Sequence, residues 1–137
     1  RPEQTLVGIQ YITFNSFEYD GSKNSDYIVR NSQHWVYRNT GFVEGARVRK
    51  IVGYEVDGYM PNYPKPPNTH YALLSRSPFT DYYGDRVVAN SSIYRARCGA
   101  WVFATGTMSW SWALSNPIFT NRAIQKTTAN VLNRFLQ

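Results

Sequence analysis

Gly99-Ala100-Trp101-Val102-Phe103-Ala104 is the run on which the fold reading turns, and Gly106 breaks it. An apolar run of strand length that does not alternate is the pattern of a strand covered on both faces. It predicts a central strand. Its neighbours are predicted from β-branched and aromatic stretches at residues 5–14, 27–29, 49–56, 71–75, 86–89 and 92–95. His34 to Tyr37 fits a strand or one helical turn. The one clear helix runs from Asn121 to Leu136, with Ile124, Thr128, Val131, Leu132, Phe135 and Leu136 as its apolar stripe. Thr120 or Asn121 can cap it. Several strands and one terminal helix predict an α/β or α+β layered domain. The helix is expected to dock by Ile124, Val131, Leu132 and Phe135.

The connecting segments read as loops. Residues 15–26 are polar with Asp20-Gly21 as a turn signal, and residues 58–69 hold four of the seven prolines, which suit neither helix nor central strand. The chain has 137 residues, 42% of them hydrophobic, enough for one domain over residues 1–137 and too apolar for disorder. No run approaches the ~20 apolar residues needed to span a bilayer. The net charge is +6, yet the cations are scattered, with one local cluster at Arg47, Arg49 and Lys50. No glycine-rich phosphate loop or aromatic-basic RNA motif accompanies them, so no nucleic-acid partner is expected. Cys98 is the only cysteine. It excludes an intrachain disulfide and is expected to be a buried, inert thiol. His34 and His70 lie among aromatics and read as structural.

Two segments carry candidate chemistry. In Ile51-Val52-Gly53-Tyr54-Glu55-Val56-Asp57-Gly58, Glu55 and Asp57 stand two apart at a strand end and share a face. Such a pair suits a cation, a polar ligand or acid–base work, and equally the plainer task of bonding loop N–H groups or an arginine. In Thr105-Gly106-Thr107-Met108-Ser109-Trp110-Ser111-Trp112, small hydroxyls surround two indoles. Trp110 and Trp112 with Ser109 suit a ligand platform, and equally a core where the terminal helix docks. If the two strands run parallel, Glu55, Asp57, Ser109, Trp110 and Trp112 gather at one sheet end as a polar-aromatic cleft.

Four pieces in this order resemble the C-terminal domain of the N,N-dimethylformamidase large (beta) subunit and its bacterial relatives: Arg38-Asn39-Thr40-Gly41, Val52 to Asp57, Gly99 to Trp112, and the terminal helix through Thr128 to Phe135. The resemblance covers nearly the whole chain. It implies a glutamine-amidotransferase-like α/β fold with a central, mixed, partly parallel sheet, and makes this chain a C-terminal portion whose partner is the rest of its parent polypeptide. It implies part of an amide hydrolase, in which a mononuclear iron is held by two tyrosines and a glutamate. No position here is assigned to that iron, Tyr54 and Glu55 included. A second reading is a carbohydrate- or other ligand-binding module, in which Trp110, Trp112 and the tyrosines of the proline-rich loop stack on sugar rings or another planar ligand. Family relatives joined to carbohydrate-binding modules, with the Asn/Ser/Thr/Tyr-rich, Lys-poor composition, favour a secreted or cell-surface setting over a cytoplasmic one.

Overall fold

The computed structural model describes residues 2–16, 18, 20–67 and 70–137. A short helix α1 (Glu3–Val7) leads into β1 (Gln10–Phe14), and β2 (Ser25–Ile28) follows. A 3-10 turn at Trp35–Tyr37 precedes β3 (Arg47–Val52) and β4 (Glu55–Gly58). The second half holds β5 (Ala72–Leu73), β6 (Ser77–Thr80), β7 (Arg86–Ala89), β8 (Ser92–Arg95) and β9 (Trp101–Ala104). A 3-10 turn, α2 (Trp112–Ser115) and α3 (Arg122–Phe135) end the chain.

Among the described residues every strand pair is antiparallel: β1 with β4, β2 with β3, β6 with β7, and β8 between β5 and β9. This corrects the partly parallel sheet, and with it the amidotransferase-like arrangement, expected above. The reason is connectivity. A parallel pair needs a crossover of a dozen or more residues, usually a helix. Here α1 precedes the first strand, α2 and α3 follow the last, and among the described residues no helix longer than one 3-10 turn lies between strands. Isolated bridges join the small sheets, Val29 to Ser75 and Val56 to Thr107. Val29, Ile51, Val56, Leu74, Ile93 and Ile124 are completely buried where the sheets meet α3.

The run from Gly99 to Ala104 is not a central strand. It is trimmed to β9 at the edge of its sheet, with all four residues half-buried. Trp101 and Phe103 turn inward, their rings edge-on to Trp35 at 5.2 Å and Trp110 at 5.8 Å. Aromatic bulk, not two-sided burial, made the run apolar. Residues 5–14 are likewise not one strand, because Gly8, at φ 93°, ends α1 in a left-handed turn before β1 begins. Pro78 hid β6, and it is tolerated because β6 pairs only with β7.

Asn121 caps α3, its Oδ1 accepting from the Ile124 N–H at 3.0 Å. Ile124, Thr127 and Val131 face the core, while Leu132 and Phe135 are 56% and 47% exposed. Only half of the expected docking stripe is used, because the last turn overhangs the sheets and sets Arg134 over the Trp35 and Trp101 rings. Cys98 is exposed, against expectation, in the tight β8–β9 turn. His34 is structural as read: its Nδ1 accepts from the Val36 N–H at 3.4 Å, and burial holds its imidazole below the usual range. Among the described residues no helix is long and apolar enough to cross a membrane.

Candidate functional site

The chain between β3 and β4 is bent at Gly53-Tyr54. Tyr54 sits at φ 66°, a left-handed conformation that is costly for a bulky side chain and persists only where surroundings impose it. Those surroundings are three polar side chains. Asn15 Oδ1 accepts from the Tyr54 N–H at 2.7 Å, while its Nδ2 donates to the Val52 carbonyl at 3.2 Å. Thr107 Oγ1 accepts from the Gly53 N–H at 3.0 Å. Asn24 lies so close to Gly53 that an added Cβ would stand 1.9 Å from its Oδ1, so only glycine fits there. The bend lets one extended run pair with β2 before it and with β1 after it. It places Glu55 at the head of β4.

Glu55 is exposed and Asp57 half-buried, opposite Phe14 and Tyr11 of β1. Glu3 reaches over from α1, and its Oε2 accepts from the Tyr11 N–H at 3.1 Å. None of these three carboxylates has a cation partner among the described residues. Burial, then the negative charges of Glu3 and Glu55, push the Asp57 carboxyl above its ordinary value. The Tyr11 hydroxyl is raised too, by burial and then by Glu55 and Tyr83. Phe14 stacks on Tyr82 at 4.9 Å and meets Tyr83 edge-on at 5.5 Å. Asp81 holds this tyrosine pair in place, accepting from the Tyr83 N–H at 3.0 Å and from the Thr13 hydroxyl at 2.7 Å.

The raised Asp57 carboxyl makes a measurable prediction. A carboxyl raised by folding binds its proton more tightly folded than unfolded. Its contribution is therefore complete below the unfolded value, near 3.8, and is lost as pH rises through the folded value. Asp57→Asn should gain thermal stability over wild type near pH 7 and show no such gain near pH 3. Parallel melting curves at both pH values check this. An equal difference at both would remove the desolvated charge from the account.

The segment carrying Ser109, Trp110 and Trp112 meets the Glu55 strand antiparallel, not parallel. Val56 bridges Thr107, and the Asp57 N–H donates to the Gly106 carbonyl at 2.9 Å. The backbones are neighbours, but the side chains diverge. Ser109 is buried and its Oγ accepts from Asn24 at 3.1 Å. The Trp110 indole is 5% exposed, edge-on to Tyr27, and its Nε1 donates to Thr128 at 3.1 Å. Trp112 packs on Phe119 at 5.2 Å and beside Gly21. Asn15 and Asn24 carried no sequence signal, since both stand in a polar loop where asparagine is ordinary. Tyr82 and Tyr83 were not singled out in the sequence, and the signal that marks them is a pair of aromatics before the turn glycine Gly84.

Among the described residues no three His, Cys, Asp or Glu side chains form a metal-holding group, and no residue is assigned to the iron that the resemblance implies. Tyr11 and Tyr83 on this face are 47% and 71% exposed. What the chain itself presents is a bent strand with two unpaired carboxylates beside exposed phenols. Comparison with curated proteins gives no match. The family model described as N,N-dimethylformamidase beta subunit-like, C-terminal, does match, over residues 1–126, and the chain belongs to that family.

Proposed function

We propose that this chain is the C-terminal portion of a formamidase-like amide-hydrolysing subunit, and that Glu55 and Asp57 form a ligand-facing wall of its site. The observation that carries the reading is the left-handed Tyr54, held by Asn15, Asn24 and Thr107 immediately before Glu55. Strain imposed by several buried partners next to an unpaired carboxylate is what a positioned functional group looks like. Amide hydrolysis needs a group that takes a proton from water and one that gives a proton to the leaving nitrogen. Glu55, open to solvent, suits the first task. Asp57, held toward its protonated form, suits the second. Ser109, Trp110 and Trp112 serve from behind, because Thr107 and Ser109 brace the bend while the indoles fill the space beneath.

The test is Glu55→Gln in the complete parent protein with a formamide-type substrate. A glutamine keeps the shape and removes the base. The expected result is a fall in kcat on the order of 100-fold or more, with KM and melting temperature nearly unchanged. Unchanged kcat would remove Glu55 from the chemistry. A carbohydrate-binding reading finds its support elsewhere than in Trp110: Tyr82 and Tyr83, 56% and 71% exposed, offer the open ring faces. It predicts loss of glycan retention in Tyr82→Ala with hydrolysis intact.

A further inference from the structure

The nine acidic residues all lie at or before Asp85. From Arg86 to Gln137 the chain holds six Arg and Lys and no acid, so that stretch carries the whole net charge of +6. The fold gathers two of these cations at one groove. The β8–β9 hairpin sets Arg95 across from Trp101, and the overhanging last turn of α3 brings Arg134 to the same indole. Between them runs a groove of about 760 Å³, with Phe135 as its apolar rim and no acidic side chain in its lining.

Both guanidinium groups are held in place. Arg134 lies over the Trp35 ring at 5.6 Å and the Trp101 ring at 5.9 Å. Arg95 Nε donates to the Gly99 carbonyl at 3.1 Å, which anchors the side chain and leaves its terminal N–H groups uncommitted. Neither arginine has a carboxylate partner among the described residues. Guanidinium donors without a carboxylate suit an anion, since arginine forks match planar or tetrahedral oxyanions bidentately. Walls of one sign also concentrate such ligands.

We propose that the groove between Arg95 and Arg134 is a binding site for a small oxyanion, a phosphate or carboxylate group attached to a compact apolar body. The oxyanion takes the guanidinium N–H groups that the Gly99 carbonyl and the Gln137 side-chain oxygen leave free. The apolar body lies on Phe135 and the edge of Trp101. The groove is sized for a small molecule, and its arginines converge on one place where a nucleic-acid surface would spread them along a track. It is separate from the carboxylates of β4, so each site stands or falls alone.

The experiment is calorimetric titration of the complete parent protein with phenyl phosphate, benzoate and inorganic phosphate at constant ionic strength. Tighter binding of phenyl phosphate than of benzoate assigns a phosphate, and the reverse order a carboxylate. Inorganic phosphate should bind more weakly than its phenyl ester. Arg134→Gln and Arg95→Gln should each weaken binding at least tenfold, while Arg122→Gln, on the same helix, should not. The second arginine variant serves if the first disturbs the end of α3. No binding of either phenyl compound, or equal affinity in all three variants, would overturn the proposal. So would tight, steeply salt-dependent binding of an oligonucleotide with the phenyl compounds inert, which would make the face a nucleic-acid surface.

Discussion

Gly106→Ala is expected to destabilise the protein by about 4 kcal/mol or more, a loss of the exceptional class. Gly106 holds φ 73°, where any side chain is strained. The larger cost is contact. A Cβ here would stand 1.8 Å from the Asn90 carbonyl oxygen and 3.3 Å from Ile9 Cδ1. The carbonyl cannot swing aside cheaply, because Asn90 is fixed on three sides. Its N–H donates to the Asp57 carbonyl at 3.1 Å, its Nδ2 to the Ser75 carbonyl at 2.8 Å, and its Oδ1 accepts from the Tyr59 N–H at 3.0 Å. Nor can Gly106 retreat, since its own carbonyl receives the Asp57 N–H. Urea melts of variant and wild type measure the loss. A difference below about 1 kcal/mol, the size of a routine substitution, would mean that the close approach of these two backbones is not real.

Ile124→Asp is expected to cost about 3–5 kcal/mol. Ile124 is completely buried in the first turns of α3, beside Trp110 and Val131 in the same cluster. The substitution loses the transfer free energy of a large aliphatic group and buries a carboxyl with no partner. Leu132→Asp, about two turns further along and on the outer face, should change stability by no more than about 0.5 kcal/mol, because Leu132 is 56% exposed. The pair of melts discriminates two dockings of one helix. Equal large losses would mean that the outer face of α3 is covered as well. Equal small losses would mean that α3 is an appendage.

Some features were legible in the residues alone, and they are the local ones. The α3 helix, its Asn121 cap and the extended character of β7, β8 and β9 follow from spacing and side-chain type within a few turns of chain. So does the irregularity of the proline-rich segment. Glu55 and Asp57 could be placed two apart on one strand because the period of a strand is a property of the backbone. The likeness to the formamidase C-terminal family was legible too, and the family match over residues 1–126 bears it out, although the terminal-helix piece from Thr128 to Phe135 lies outside the matched residues.

Strand direction was not legible, because hydrophobicity says which face a residue seeks and nothing about which way its neighbour runs. Gly99 to Ala104 shows the limit: the same apolar letters describe a strand buried twice and an edge strand carrying two inward aromatics. The bend at Gly53-Tyr54 depends on Asn15 and Asn24 of the β1–β2 loop and on Thr107 after β9, two parts of the chain distant from the bend and from each other. The groove at Arg95 and Arg134 depends on a hairpin turn meeting the overhanging end of a helix. Sequence determines what each short stretch can be. Only the packed chain decides which stretches meet, because long-range contacts are chosen by the joint free energy of all of them and not by any one segment.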